Sequence, residues 1–239
     1  DGSFGVDNRG TKFNGPFQIN AGISSNALLK NYERIGFQSV LASNTNELKF
    51  FSGFYEQPIS SEGTKLFFSG SFSDSEPGSD LELFEIKGES KTFTLKITHS
   101  FIRSRSENMN GFISYTNRDS ETEILEKLDS EDRLRIVKLG VSYDFVDGYQ
   151  GVNLFSFNLS KGVDFFNGTE TGSPNLTRAN GHSDFTKFTG EALRLQQLAP
   201  SWMLLGAFSW QYSFERLLAS EAFGMGGAKF GRAYDSSEI

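Results

Sequence analysis

"SWMLLGAFSWQYSF", residues 201–214, splits cleanly when every second residue is taken. Trp202, Leu204, Gly206, Phe208, Trp210, Tyr212 and Phe214 fall on one side, and Met203, Leu205, Ala207, Ser209, Gln211 and Ser213 on the other. A period of two is the spacing of a β-strand, whose successive side chains point to opposite faces. The stretch outruns the about five or six residues usual in soluble sheets. It reaches the roughly 9–11 that a tilted strand needs to cross a bilayer.

The same alternation recurs along the chain. "TFTLKITHSF" (92–101) sets Phe93, Leu95, Ile97, His99 and Phe101 against Thr92, Thr94, Lys96, Thr98 and Ser100. "RLRIVKLGVSYDF" (133–145) opposes Val137, Leu139, Val141, Tyr143 and Phe145 to Lys138, Gly140, Ser142 and Asp144. "NLFSFNLSKGV" (153–163) opposes Phe155, Phe157 and Leu159 to Ser156, Asn158 and Ser160. The pattern predicts eleven strands, near 3–8, 15–24, 33–43, 47–57, 64–74, 83–101, 108–120, 132–147, 151–163, 184–198 and 201–215.

A soluble β-sandwich also alternates, so the connections must decide. "EQPISSEGT", "IRSRSEN", "VDGY" and "QLAPS" are short, and between them fall the long polar "SDSEPGSDLE", "RDSETEILEKLDSED" and "DFFNGTETGSPNLTRANGHSD". Short turns at one end and long loops at the other are the pattern of an up-and-down outer-membrane barrel. Segments 119–132 and 165–184 are thereby expected outside the cell, and 57–63 and 198–201 in the periplasm. The fold expected is all-β, an antiparallel transmembrane β-barrel. An odd strand number does not close a single-chain bacterial barrel, so residues 1–239 are expected to be a fragment of the barrel domain.

Composition fits this reading. The 239 residues hold 25 phenylalanines and 25 glycines, with no cysteine. Mean hydropathy is low at −0.37, as it is for strands that show only alternate side chains to lipid. No apolar run approaches the roughly 20 residues of a membrane helix. A net charge of −7 argues against nucleic acid, which demands a clustered basic surface. Thiolate metal sites and disulfides are excluded by the lack of cysteine.

After the last strand comes "LLASEAFGMGGAKFGRAY" (217–234). It resembles the "LxSSEQFxLGGxxSVRGY/F" loop of the outer-membrane transporters of two-partner secretion, the haemolysin secretion/activation family. "VDNRGTKFNGPFQINAGIS" resembles that family's first hairpin, and "FTKFTGEALRLQQLAPSWMLLGAFSWQYSFERLLASEAFGMGG" carries its "xRxQxL" strand into the loop. "FIRSRSENM" and "LSKGVDFF" match it at further points.

The resemblance implies eleven of sixteen strands plus part of the sixth extracellular loop, which folds back into the lumen. It also implies two periplasmic POTRA domains and five further strands outside this sequence. The implied lumen-loop residues are Gly226, Gly227, Arg232 and Tyr234. Ala233 stands where the family has glycine, and Phe230-Gly231 where it has Ser-Val. The implied location is the bacterial outer membrane, in contact with its lipid. The implied function is export of a large exoprotein, haemolysin- or adhesin-like, that carries an N-terminal secretion domain. Alternatives are an assembly insertase of the same superfamily, whose sixth loop carries a similar arginine, and a passive porin.

Other chemistry finds no support. Gly226 to Gly231 has the glycine spacing of a phosphate loop, but Arg232 and Ala233 follow instead of Lys-Ser/Thr, so no nucleotide is expected. His99 and His182 sit in no metal-ligand spacing. The acids Asp119, Glu121, Glu123, Glu126, Asp129, Glu131 and Asp132 lack the glycine-centred pattern of a calcium loop and read as a solvated loop. The triplets at Asn158, Asn167 and Asn175 are those expected by chance in a chain rich in Asn and Ser. No nucleophile, base and orienting group assemble, so neither enzyme nor cofactor is expected.

Overall fold

The computed structural model describes residues 1–8 and 10–226, and eleven strands there form one antiparallel sheet. They are β1 (Gly2–Asp7), β2 (Gln18–Asn26), β3 (Arg34–Ala42), β4 (Lys49–Pro58), β5 (Lys65–Ser75) and β6 (Lys87–Arg103). β7 (Glu107–Ile124), β8 (Lys127–Val146), β9 (Val152–Gly162), β10 (Thr186–Ala199) and β11 (Trp202–Ser213) complete it. Spatial order equals chain order, so each strand pairs only with its sequence neighbours. Among the described residues β1 and β11 are the two edges.

Register aligns the alternation from strand to strand. One row runs Ile97, Ile113, Leu139, Leu159, Phe188 and Tyr212 across β6 to β11. The adjacent row runs Lys96, Ser114, Lys138, Ser160, Lys187 and Ser213. A slip of one residue between any two strands would exchange these faces. The apolar face carries exposed rings: Phe93, Phe155, Phe157, Phe208, Tyr212 and Phe214. In a bilayer this is the lipid side, where such exposure costs nothing. The polar face is covered in part by the chain's own loops and is the inner side.

Several glycines leave room for aromatic rings over the sheet. A Cβ at Gly190 would meet the Trp210 indole at 2.3 Å, and one at Gly140 would meet the Phe112 ring at 2.2 Å. The aromatic side chain fills the space the missing Cβ leaves, which strengthens the cross-strand pair.

At the end that carries the short turns polarity reverses on β9 and β10, while β11, with Trp202 and Leu204 outside, is apolar on both faces. There Leu154, Leu193 and Leu205 take inner positions, while Asn153 and Arg194 take outer ones. Thus Met203 and Leu205, opposed in sequence to the aromatic stripe, make the inner side of β11 apolar at this end. The β8–β9 turn is organised by Asp147, which accepts the backbone N–H of Tyr149 and of Gly151, each at 3.0 Å. Arg194 donates to Asp147 at 2.5 Å, to Asn153 at 2.6 Å and to Gln196 at 2.5 Å. The Arg194 guanidinium first, and the Asn153 amide after it, hold the Asp147 carboxyl well below the usual carboxylate range. The "xRxQxL" stretch therefore fastens β10 to the neighbouring turn.

The segment 119–132 differs from expectation. It is no loop: β7 continues to Ile124, β8 begins at Lys127, and the two-residue turn is Leu125-Glu126. Both turn residues have positive φ, 51° and 60°, the geometry of a tight hairpin usually signalled by Asn-Gly or Asp-Gly. Except for Glu126 in the turn, the acids expected to be solvated loop residues thus stand on the two strands, Asp119 opposite Arg133 and Glu121 opposite Glu131.

Facing is testable with single cysteines in the membrane-inserted protein. A cysteine replacing Ser156 should react with a water-soluble thiol reagent and one replacing Phe157 should not. Preferential reaction at 157 would reverse the two faces.

Candidate functional site

β8 is much longer than β9. Ile136–Val146 pair with β9, and the stretch 127–135 has no strand on that side. The loop between β9 and β10 runs up this free edge. Val163 N–H donates to the Arg135 carbonyl at 2.8 Å, Thr169 N–H to the Arg133 carbonyl at 2.8 Å, and Glu131 N–H to the Asn175 carbonyl at 2.7 Å. Open backbone groups are thereby satisfied and the edge is blunted. Arg135, almost fully buried, donates to Asp119 at 2.6 Å and to the Phe166 carbonyl at 3.0 Å.

Beyond that edge the loop turns onto the inner face. Leu134 and Ile136, inner residues of β8, pack with Phe185, Leu217 and Leu218 into the main buried apolar cluster, with Leu176 against it. Leu217 and Leu218 come from the segment after β11. Consecutive leucines there give no strand alternation, and both are buried. Full burial of such side chains is worth about 1.5–3 kcal/mol each. His182 N–H donates to the Arg216 carbonyl at 2.8 Å, and Thr177 Oγ1 accepts the Ala219 N–H at 3.2 Å. Asp132 in turn accepts the Thr177 N–H at 3.2 Å. The two loops are one docked unit.

At its inner end sits Glu221, only 8% exposed. Lys187 Nζ donates to its Oε2 at 2.5 Å and to its backbone carbonyl at 3.0 Å. Arg118 Nη1 donates to Oε1 at 2.9 Å, and to the Ser220 carbonyl at 3.3 Å. Gln211 Nε2 adds a bond to the Glu221 carbonyl at 3.2 Å. A short 3₁₀ turn, Ala219–Glu221, presents the carboxylate. Both its oxygens and its backbone are held, so the pair meets the condition for a buried ion pair to persist.

Of the residues implied by the sequence motif, Gly226 is in the described part, half-buried with φ of 113°. Such a φ favours glycine. Gly227, Arg232 and Tyr234 lie outside the described residues. Glu221 lies inside the same motif stretch but shows its role only through its partners, Lys187 on β10 and Arg118 on β7. His99 meets Thr64 Oγ1 at 2.8 Å and sits edge-on to Phe101 at the short-turn end of β6. No group of metal-ligating residues is found among the described residues.

These features define a class, an up-and-down barrel wall with a segment docked on its polar inner face. The family model described as haemolysin secretion/activation protein ShlB/FhaC/HecB matches residues 1–238, and the chain belongs to that family. Its members are outer-membrane β-barrel transporters of Gram-negative bacteria, not enzymes. Among solved structures the chain resembles CdiB from Escherichia coli, with a TM-score of 0.87 at 20% identity over 98% of this chain and 44% of that one. It also resembles CdiB from Acinetobacter baumannii, with a TM-score of 0.67 at 16% identity over 92% and 39%. The chain therefore spans less than half the length of either. No curated protein matches.

Removing the lysine should loosen the docked segment. Lys187→Met leaves Glu221 with one cation, and losing one partner of a fully buried pair costs roughly 3–5 kcal/mol, an upper bound beside a wet lumen. Tryptic cleavage after Arg216 on intact cells should accelerate by about tenfold or more, while Lys187→Arg stays near wild type. Equal cleavage rates would mean the pair does not hold the segment.

Proposed function

We propose that this chain is the barrel wall of a two-partner secretion transporter, exporting one large exoprotein recognised by its N-terminal secretion domain. The observation that carries the reading is the segment after β11 docked on the inner wall through Glu221. A passive porin gives no reason for the motif at 217–234 that contains this segment. Family membership over residues 1–238 supports it, and the "xRxQxL" strand and "VDNRG" hairpin favour secretion over membrane-protein insertion. In this reading the eleven strands belong to a larger barrel of sixteen, preceded by periplasmic POTRA domains, in keeping with the lengths of the two structures it resembles. Further strands would pair the open edges, which lipid does not tolerate. The exoprotein passes unfolded, and no nucleotide is used.

Gly226, Gly227, Arg232 and Tyr234 form the lumen-loop motif in this reading. Arg232 pairs there with a carboxylate on a strand beyond residue 239, through the planar fork that lysine lacks. Ala233 in place of the family's glycine leaves the turn to Gly231 and Gly227. In the full-length protein, Arg232→Ala should leave the barrel inserted and sharply reduce exoprotein in the medium, normalised to transporter in the outer membrane. Arg232→Lys should restore little. Wild-type secretion by the alanine variant would reduce Arg232 to a surface residue.

A further inference from the structure

The inner face carries a regularity that the docked segment uses only in part. Lys96 on β6, Lys138 on β8 and Lys187 on β10 occupy one cross-strand row, separated by Ser114 on β7 and Ser160 on β9. Lysine on every second strand places the lysines' Cα atoms about 10 Å apart, twice the strand spacing. The small serines between leave each long side chain room to reach inward. Lys138 feels the charges of Lys96, Lys187, Arg118 and Glu221, so these groups form one electrostatic cluster of four cations and one carboxylate.

Among the described residues only one end of the row is occupied. Lys187 and Arg118 hold Glu221. Among the described residues Lys138 has no ion pair. Lys96 lies over the rings of Phe67, at 4.7 Å, and Phe112, at 5.8 Å, and among the described residues has no carboxylate partner. The occupied end shows what the row takes: a carboxylate on an irregular stretch of polypeptide inside the barrel, with the neighbouring backbone carbonyl bound by the same lysine. Backbone carbonyls occur at every residue of an extended chain, and carboxylates supply the stronger contact.

We propose that Lys96, Lys138 and Lys187, with Arg118, form a carboxylate-binding arc on the lumen wall that receives acidic side chains of an extended polypeptide in transit, Glu221 being its resident occupant. The arc acts as charged rings do in other pores, favouring one sign of charge at one depth. A passing carboxylate first meets Lys96 and Lys138 and can then exchange with Glu221. Each such exchange frees the segment after β11 from the wall without leaving a buried cation bare. The proposal rests on the transport reading for the identity of the polypeptide, but not for the binding itself.

The test uses the full-length protein in planar bilayers with the double variant Lys96→Gln, Lys138→Gln, neither residue being ion-paired to Glu221. The probe is a synthetic 20-residue Glu/Ser peptide, with a Gln/Ser peptide of the same length as control. Wild type should be blocked by the acidic peptide and not by the control. The double variant should need about tenfold more peptide for the same block, from two lost half-buried charge contacts of about 0.7 kcal/mol each beside a wet lumen. Its reversal potential in a salt gradient should shift toward cations. Lys138→Arg should keep both wild-type behaviours, which separates charge from folding. Unchanged block and selectivity in the double variant would overturn the arc, even if exoprotein secretion stays normal. Normal block with no secretion of any exoprotein would instead count against the transport reading and leave the arc standing.

Discussion

Within a bilayer no water is present to satisfy a free backbone N–H or C=O, and each one left open costs several kcal/mol. The sheet obeys that constraint by pairing every strand with its neighbours in chain order. Where the pairing fails, a loop replaces it. β8 outruns β9, and the loop from Val163 onward bonds to the uncovered carbonyls of Arg135 and Arg133. That loop is thereby drawn over the rim, and its later residues, Leu176 and Phe185, land on the inner face. The apolar bed for Leu217 and Leu218 is thus made by β8 together with the loop that covers its edge.

Strand alternation does the remaining work. One face of every strand meets lipid and must be apolar, so the other is free to hold lysine, serine and asparagine without cost to insertion. Polar groups on that inner face position Glu221 by charge, while the leucines fix the segment by burial. Neither contribution suffices alone: the leucine contacts are non-directional, and an ion pair beside water is worth little without geometry to hold it. Together they define one docked arrangement of the chain that follows β11.

Much of the fold was legible because a period of two survives in any environment. The strand expected at 201–215 is Trp202–Ser213, and that expected at 151–163 is Val152–Gly162. The long hairpin at 107–146 was not, since its turn uses Leu125 and Glu126, which carry none of the usual turn chemistry. The candidate site was legible only as a motif. Glu221 stood within it, but its meeting with Lys187 and Arg118 spans 34 and 103 residues of sequence. Only register and the fold-back of the segment bring these groups together. The reversed polarity near Arg194 was hidden for a similar reason, because the Asp147 turn that receives the guanidinium lies on another hairpin.

The segment after β11 rests on the inner wall, held by Lys187 and Arg118. Spin labels on cysteines replacing Ser220 and Ser114, in the membrane-inserted full-length protein, measure this placement through the dipolar coupling between them. The docked segment should give a narrow distribution of short distances that broadens when Glu221 is changed to Gln. A broad or long distribution in the otherwise unaltered protein, insensitive to that change, would contradict the docking.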